Sequence, residues 1–166
     1  MRILLQRVAH ASVSVQGLEV GRIGKGLLVL VGVAREDSQE DIRYLSDKLL
    51  NLRIFSGDSD RFDRSALDTG AEFLVISQFT LYGNARKGRR PDFTEAAVPA
   101  DAERLYDQFV DTLRTSGLPV KTGRFGEYMQ VEMLNDGPVT LMLDSAERSR
   151  PRRTKQTSNP DPENSP

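Results

Sequence analysis

Ser77-Gln78-Phe79-Thr80 stands directly behind an apolar run, Leu74-Val75-Ile76, that reads as a buried strand. A strand ending there delivers Ser77, Gln78 and Thr80 to its tip, beside backbone N–H groups that a sheet no longer uses. Hydroxyls, a carboxamide and exposed amides gathered at one strand end are groups that could serve a site. Ser and Thr are also ordinary strand-end residues, and the pattern alone does not separate the two roles. A second segment, Asn135-Asp136-Gly137-Pro138-Val139-Thr140, marks a tight turn before a strand. Its Gly137–Pro138 bond reads as trans on composition, because only ~5–6% of X–Pro bonds in folded proteins are cis. A third segment, Arg86-Lys87-Gly88-Arg89-Arg90-Pro91, packs four cations into five positions. It is either a solvated loop or a phosphate-contacting one. Its nearness in sequence to Ser77–Tyr82 favours the second reading as much as the first.

The residue inventory narrows the chemistry. Cysteine is absent, which removes disulfides, zinc-thiolate sites, iron–sulfur clusters and thiolate nucleophiles together. The single histidine, His10, would have to serve any serine–histidine triad, and no acid or nucleophile is placed beside it by sequence. There is no G-x-S-x-G elbow, phosphate-binding P-loop or dinucleotide turn. No acidic cluster suggests a metal site, so no metal and no cofactor are expected. A net charge of -1 disfavours a globally basic nucleic-acid binder but leaves room for a local patch. No apolar stretch reaches the ~18 residues of a membrane span. The charged start Met1-Arg2-Ile3-Leu4-Leu5-Gln6-Arg7 does not read as a secretory leader, so a cytoplasmic location is expected.

The elements that would position these segments are legible from periodicity. Length predicts one domain over residues 1–145. From Ala146 to Pro166 there is no aliphatic residue larger than Ala, no Met and no aromatic, so 146–166 reads as a disordered tail, basic first and acidic at its end. Ile3, Leu5 and Arg7-Val8 begin a strand. Ala11, Val13 and Val15 alternate with polar residues up to a break at Gly17, which suggests a hairpin. Leu27–Val33 suits a fully buried strand, and Met129–Met133 and Val139–Leu143 alternate. One helix is expected from about Ser38 to Leu52, capped by Asp37 with Glu40 or by Ser38 with Asp41, with a stripe of Ile42, Leu45, Leu49 and Leu52. A second is expected from about Pro99 to Ser116, buried through Ala102, Leu105, Tyr106, Phe109, Val110 and Leu113. The fold class is therefore α+β, mostly antiparallel, with two main helices.

Taken together, Ser77-Gln78-Phe79-Thr80-Leu81 and Asn135-Asp136-Gly137-Pro138-Val139-Thr140 resemble the two signature motifs of the D-aminoacyl-tRNA deacylases. Gln6-Arg7-Val8, Gly26-Leu27-Leu28-Val29, Asn51-Leu52-Arg53-Ile54-Phe55, Arg86–Pro91 and Thr122-Gly123-Arg124-Phe125-Gly126 also match, so the resemblance covers Met1 to about Ser145. It implies sheets curled into a barrel-like core. It implies hydrolysis of the ester between a D-amino acid, or glycine on alanine tRNA, and the 3′ end of tRNA. It also implies a homodimer with the site at the subunit interface, and tRNA rather than DNA or a membrane as partner. Gly137–Pro138 is then cis and reaches into the partner's pocket, overturning the composition reading.

On this resemblance the catalytic segment is Ser77, Gln78, Phe79 and Thr80, with backbone N–H groups around Gln78, Phe79 and Thr80 as oxyanion donors. No side-chain base is evident, and the resemblance assigns help in activating water to the 2′-hydroxyl of the terminal adenosine. Thr80 as a nucleophile would need an adjacent base, so a hydrogen-bonding role is preferred. Carbonyls of the Gly137–Pro138 turn would capture the substrate ammonium and leave no room for an L side chain, while glycine passes. Arg7, Phe125 and Met129 are substrate-side candidates. Arg7 would also brace the turn, and Phe125 and Met129 suit core packing equally well. Arg86, Lys87, Arg89 and Arg90 would meet tRNA phosphates. Two other classes compete with this reading. One is a non-catalytic RNA-binding module, for which stacking aromatics are scarce. The other is a serine esterase using His10.

Overall fold

One long strand organises the sheet. In the computed structural model, which describes residues 1–57, 61–86 and 88–149, β1 (Arg2–Val15) runs antiparallel to β8 (Met129–Asp144) along its length. Its other edge is shared: the first half pairs with β3 (Gly26–Gly32) and the second with β2 (Leu18–Ile23). The β1–β2 hairpin turns through Gln16 and Gly17, both at positive φ (51° and 77°), a geometry that suits glycine. The order continues β3–β6–β7, with β6 (Glu72–Ser77) parallel to β3 and β7 (Val120–Thr122) parallel to β6. A Cβ on Gly21 of β2 would lie 2.8 Å from the Thr122 carbonyl oxygen of β7. The two ends of the sheet thus approach one another and it closes into the barrel-like form expected.

Antiparallel pairing predominates, but the two parallel pairs were not anticipated. Each follows from a helical crossover. The connection from β3 to β6 contains α1 (Gln39–Asn51), the small pair β4 (Phe55–Ser56) and β5 (Phe62–Arg64), and α2 (Ala66–Thr69). That from β6 to β7 contains α3 (Pro99–Arg114). Strands joined this way run parallel and are covered on both faces, which is why β3 and β6 read as continuous apolar runs. Ile3, Leu5, Leu27, Val29, Phe73 and Val75 pack against α1 and α3 through Leu45, Leu49, Leu105 and Phe109. Val8, Ala11, Val13, Leu28, Leu74 and Ile76 form a second core on the inner face.

Both helices fall where their stripes place them. Ser38 caps α1 with Asp41 as the reciprocal partner, so the second of the two capping pairs is the one formed. Asp37 instead binds the Met1 ammonium and the Ala34 N–H. Pro99 opens α3 and Gly117 follows its end at φ 80°. The four-residue α2, capped by Ser65 and Asp68, is too short to show a stripe in sequence.

Two expectations are corrected. The Asn135–Thr140 segment is not a turn before a strand but a bulge within β8. Gln6 pairs with Thr140 and Val8 with Asn135, so two steps on β1 face five on β8. The proposed tail also begins later than Ala146. Ser145–Ser149 form a 3-10 turn, and the Arg148 guanidinium reaches Glu40 (3.4 Å) and Asp41 (3.5 Å) at the start of α1. The rest of that segment lies outside the described residues.

The β3–β6 pairing tolerates no side chain at Gly26, where a Cβ would sit 1.9 Å from the Glu72 carbonyl oxygen. Gly26→Ala must push two backbones apart. It is expected to lower the thermal midpoint by more than ~10 °C, read by circular dichroism. An unchanged melt would mean that the strands can separate without cost.

Candidate active site

β6 ends at Ser77, and the chain then changes geometry within two residues. Gln78 takes φ -146° and ψ 78°, and Phe79–Tyr82 wind into a 3-10 turn. The Gln78 N–H donates to the Val31 carbonyl at 2.7 Å, which ties the start of the turn to β3. This corrects one expectation: the Gln78 amide is already used. In a 3-10 turn the first N–H groups have no partner within it, and in this turn those groups are the N–H of Phe79 and of Thr80. Gly32 permits this close seat. A Cβ there would meet the Leu81 Cβ at 3.0 Å and the Gln78 carbonyl at 3.1 Å.

The turn opens onto a cleft of ≈ 380 Å³. Ser77, Gln78 and Phe79 form one wall, Phe125 and Gly126 another, and Phe93, Val98 and Pro99 the rim. Phe79 is exposed and meets Phe93 edge-on, with centroids 5.0 Å apart. Tyr106 lies in the floor, donates its hydroxyl hydrogen to the Val75 carbonyl at 2.8 Å, and has its ring 6.0 Å from that of Phe125. Burial raises the Tyr106 phenol far above its ordinary value, with Asp107 adding to the shift, so it is a neutral donor. Among the described residues lining the cleft there is no carboxylate, histidine or lysine. Thr80 is exposed beside it, and its hydroxyl accepts from the Gln78 carboxamide, with no base in contact.

The other expected residues divide. Phe125 lines the cleft. Met129 does not: it packs, partly buried, against the inner core, with its sulfur too close to Gly123 to admit a Cβ there. Arg7 is buried and also stands away from the cleft. Its Nε donates to the Asp136 carbonyl (3.1 Å) and its Nη2 to the Gly137 carbonyl (3.2 Å). Its Nη1 donates to the Ile54 carbonyl. The Asp136 carboxylate adds an ion pair at 3.0 Å. Arg7 thus holds the turn instead of facing the cleft: three of its acceptors lie on β8, at Asp136 and Gly137, and the fourth is the Ile54 carbonyl just before β4. Gly137–Pro138 is cis, and no residue of that turn lines the cleft of its own chain. Asn135 locks the base of the bulge, donating to the Arg7 and Val139 carbonyls.

Arg86, Arg89 and Arg90 are exposed on a loop whose neck is closed by paired hydrogen bonds between Asn84 and Asp92 (2.8 and 2.9 Å). Phe93, next after that neck, touches Phe79, so the loop stands beside the cleft. Lys87 lies outside the described residues. His10 is exposed on β1 opposite Leu134. Phe93, Tyr106 and Gly32 were missed by sequence reasoning. The tyrosine hydroxyl within an apolar stripe was the one available signal.

The cleft is largely apolar, and its described lining residues offer hydroxyl, carboxamide and backbone groups without a charged base. Residues 4–144 match the family model described as D-Tyr-tRNA(Tyr) deacylase. The D-aminoacyl-tRNA deacylase of Syntrophobacter fumaroxidans (strain DSM 10017 / MPOB) is 57% identical over 145 residues, covering 87% of this chain and 97% of that protein. That of Thermosipho africanus (strain TCF52B) is 52% identical with the same coverage. The chain belongs to the D-Tyr-tRNA(Tyr) deacylase family. Among solved structures, one described as c-Myc DNA unwinding element binding protein superposes with a TM-score of 0.82 at 42% identity, over 87% of this chain and 98% of that one. One described as a probable eukaryotic D-amino acid tRNA deacylase shares the fold at TM-score 0.75 and 22% identity, over 86% of this chain and 97% of that one.

Proposed function

We propose that the protein works as a homodimer that clears D-amino acids from the 3′ end of tRNA, and glycine from alanine tRNA, with L-aminoacyl-tRNA rejected by the partner's Gly137–Pro138 turn. The coarser statement stands on the family: the chain is a D-aminoacyl-tRNA deacylase, a carboxylic ester hydrolase. The observation that carries the finer reading is the cleft lined by Gln78 and Phe79, where the 3-10 turn begins, with no side-chain base among its described lining residues. Water attacks the ester carbonyl carbon, and the developing oxyanion accepts from the Phe79 and Thr80 amides. The bond to the ribose oxygen then breaks, and that oxygen takes the proton. With no base in the cleft, the 2′-hydroxyl of the terminal adenosine is the group beside the ester that helps activate the water. Ser77 and the Gln78 carboxamide line the path to the carbonyl.

The dimer is supported by β8. Among the described residues it pairs only with β1, and it exposes Val131, Met133, Leu134, Leu141 and Met142. An unpaired edge bearing an apolar row is a surface that a second chain covers. Such a partner can supply the turn that a single chain does not bring to its own cleft. Each carbonyl that Arg7 holds keeps a second lone pair for the substrate ammonium. A substrate of charged tRNA fits the cytoplasm, and no helix of the described residues is long and apolar enough to cross a membrane.

Hydrolysis of matched D-tyrosyl-tRNA and L-tyrosyl-tRNA, in chelator, tests the reading. Loss of the D ester with the L ester spared is expected. Equal loss of both would refute rejection by the turn, and loss of neither would refute the activity. Arg86, Lys87, Arg89 and Arg90 are assigned to tRNA phosphates. Arg89→Ala and Arg90→Ala should each reduce the slope of log affinity against log salt by about 1. Unchanged slopes in binding titrations would remove these residues from the interface.

A further inference from the structure

We propose that Arg2 is a positioning residue for deacylation, acting through the turn that carries the amide donors. The proposal rests on the reading of the cleft given above. A four-residue 3-10 turn has poor hydrogen-bond geometry and little stability of its own, so its orientation depends on what grips its two ends. The Gln78 N–H on Val31 secures the first end. Arg2 secures the second. Its Nη1 donates to the Leu81 carbonyl at 3.1 Å, one of the acceptors that a helical turn leaves open at its C-terminal side. The same guanidinium lies over the Tyr82 ring, 4.4 Å from the centroid, and Tyr82 is buried. Its Nε donates to the Asp144 carboxylate at 3.1 Å. Arg2 pairs with Asp144 of β8 on one side and with Gly32 of β3 on the other. The residue that grips the turn from its C-terminal end is therefore in register with the glycine on which the turn rests.

The geometry requires arginine. One planar fork meets a carbonyl and a carboxylate in different directions while stacking on a ring. A lysine ammonium can satisfy one of those demands at a time. Burial raises the Asp144 carboxyl, but the Ala146 N–H and the Arg2 guanidinium outweigh that and hold it below the usual carboxylate value. The ion pair is thus present at neutral pH. Losing the Leu81 contact frees the C-terminal end of the turn to swing, and displacement of oxyanion donors by about 1 Å costs on the order of 10²-fold in rate.

The test compares single-turnover hydrolysis and KM of the parent, Arg2→Met and Arg2→Lys on D-tyrosyl-tRNA, with thermal midpoints measured alongside. Arg2→Met is expected to lower kcat at least ~10-fold with KM within ~2-fold, because the donors are used in the transition state and not in binding. Arg2→Lys is expected to keep the parent's midpoint through Asp144 and still lose kcat several-fold. A purely structural arginine would give the reverse: a lower midpoint in Arg2→Met, and full kcat in the folded enzyme and in Arg2→Lys. Parental kcat in Arg2→Lys overturns the proposal, as does a loss that falls on KM alone. Where Arg2→Met does not fold, Arg2→Lys decides alone. Failure of the parent to hydrolyse the D ester would instead count against the site reading on which the proposal stands.

Discussion

Phe79→Pro is expected to lower the single-turnover rate of D-tyrosyl-tRNA hydrolysis by ~10²–10³-fold relative to Phe79→Ala, the cost of removing one oxyanion donor. Proline removes the N–H of that position and little else there. Phe79 is the first residue of the 3-10 turn, where proline is tolerated and where no intrahelical bond is lost. Gln78 before it lies outside the helical region, as a following proline requires. Both variants lose the ring contact with Phe93, so their difference isolates the amide. Equal rates in the two variants would show that the Phe79 N–H never meets the reacting oxygen, and would leave Thr80 to carry the charge by itself.

Arg7→Met is the second large effect. It leaves the carbonyls of Ile54, Asp136 and Gly137 without their donor, the first in a buried place and the other two partly buried. Hydrogen bonds to a charged group contribute ~1.5–3 kcal/mol each, and relaxation recovers part of this, so a stability loss of about 3 kcal/mol is expected in urea unfolding. The functional effect is separate. The turn that is proposed to exclude L side chains loses its brace, and the ratio of D to L hydrolysis is expected to fall at least ~10-fold, as misplacement by a fraction of an ångström allows. A destabilised variant with the parent's D to L ratio would mean that Asn135 and the bulge hold the turn without Arg7.

Sequence reasoning succeeded where one residue pattern maps to one geometry. The stripes of α1 and α3, the two buried runs and the strand end at Ser77 were all read from spacing. It left alternatives open where a geometry is fixed by partners distant in the chain. Arg7 and Met129 sit on strands beside the motifs, and their sequence allowed Arg7 either the substrate or the brace of the turn, and Met129 either the pocket or the core. The register of β1 against β8 turns Arg7 toward Asp136 and Gly137, and the closing of the sheet sends Met129 inward. The parallel pairs escaped for a related reason, because a buried apolar run does not state its direction. Phe93 could not be placed at all until the Asn84–Asp92 neck brought its loop back over Phe79.

The donors proposed at Phe79 and Thr80 are peptide groups, which every residue except proline possesses. Drift in the side chains at those two positions therefore leaves the chemical groups intact, and selection has little there to read. It reads shape instead, and the shape depends on the space left bare at Gly32. On that reading the reaction leans on Gly32, a position that contributes space and no functional group of its own.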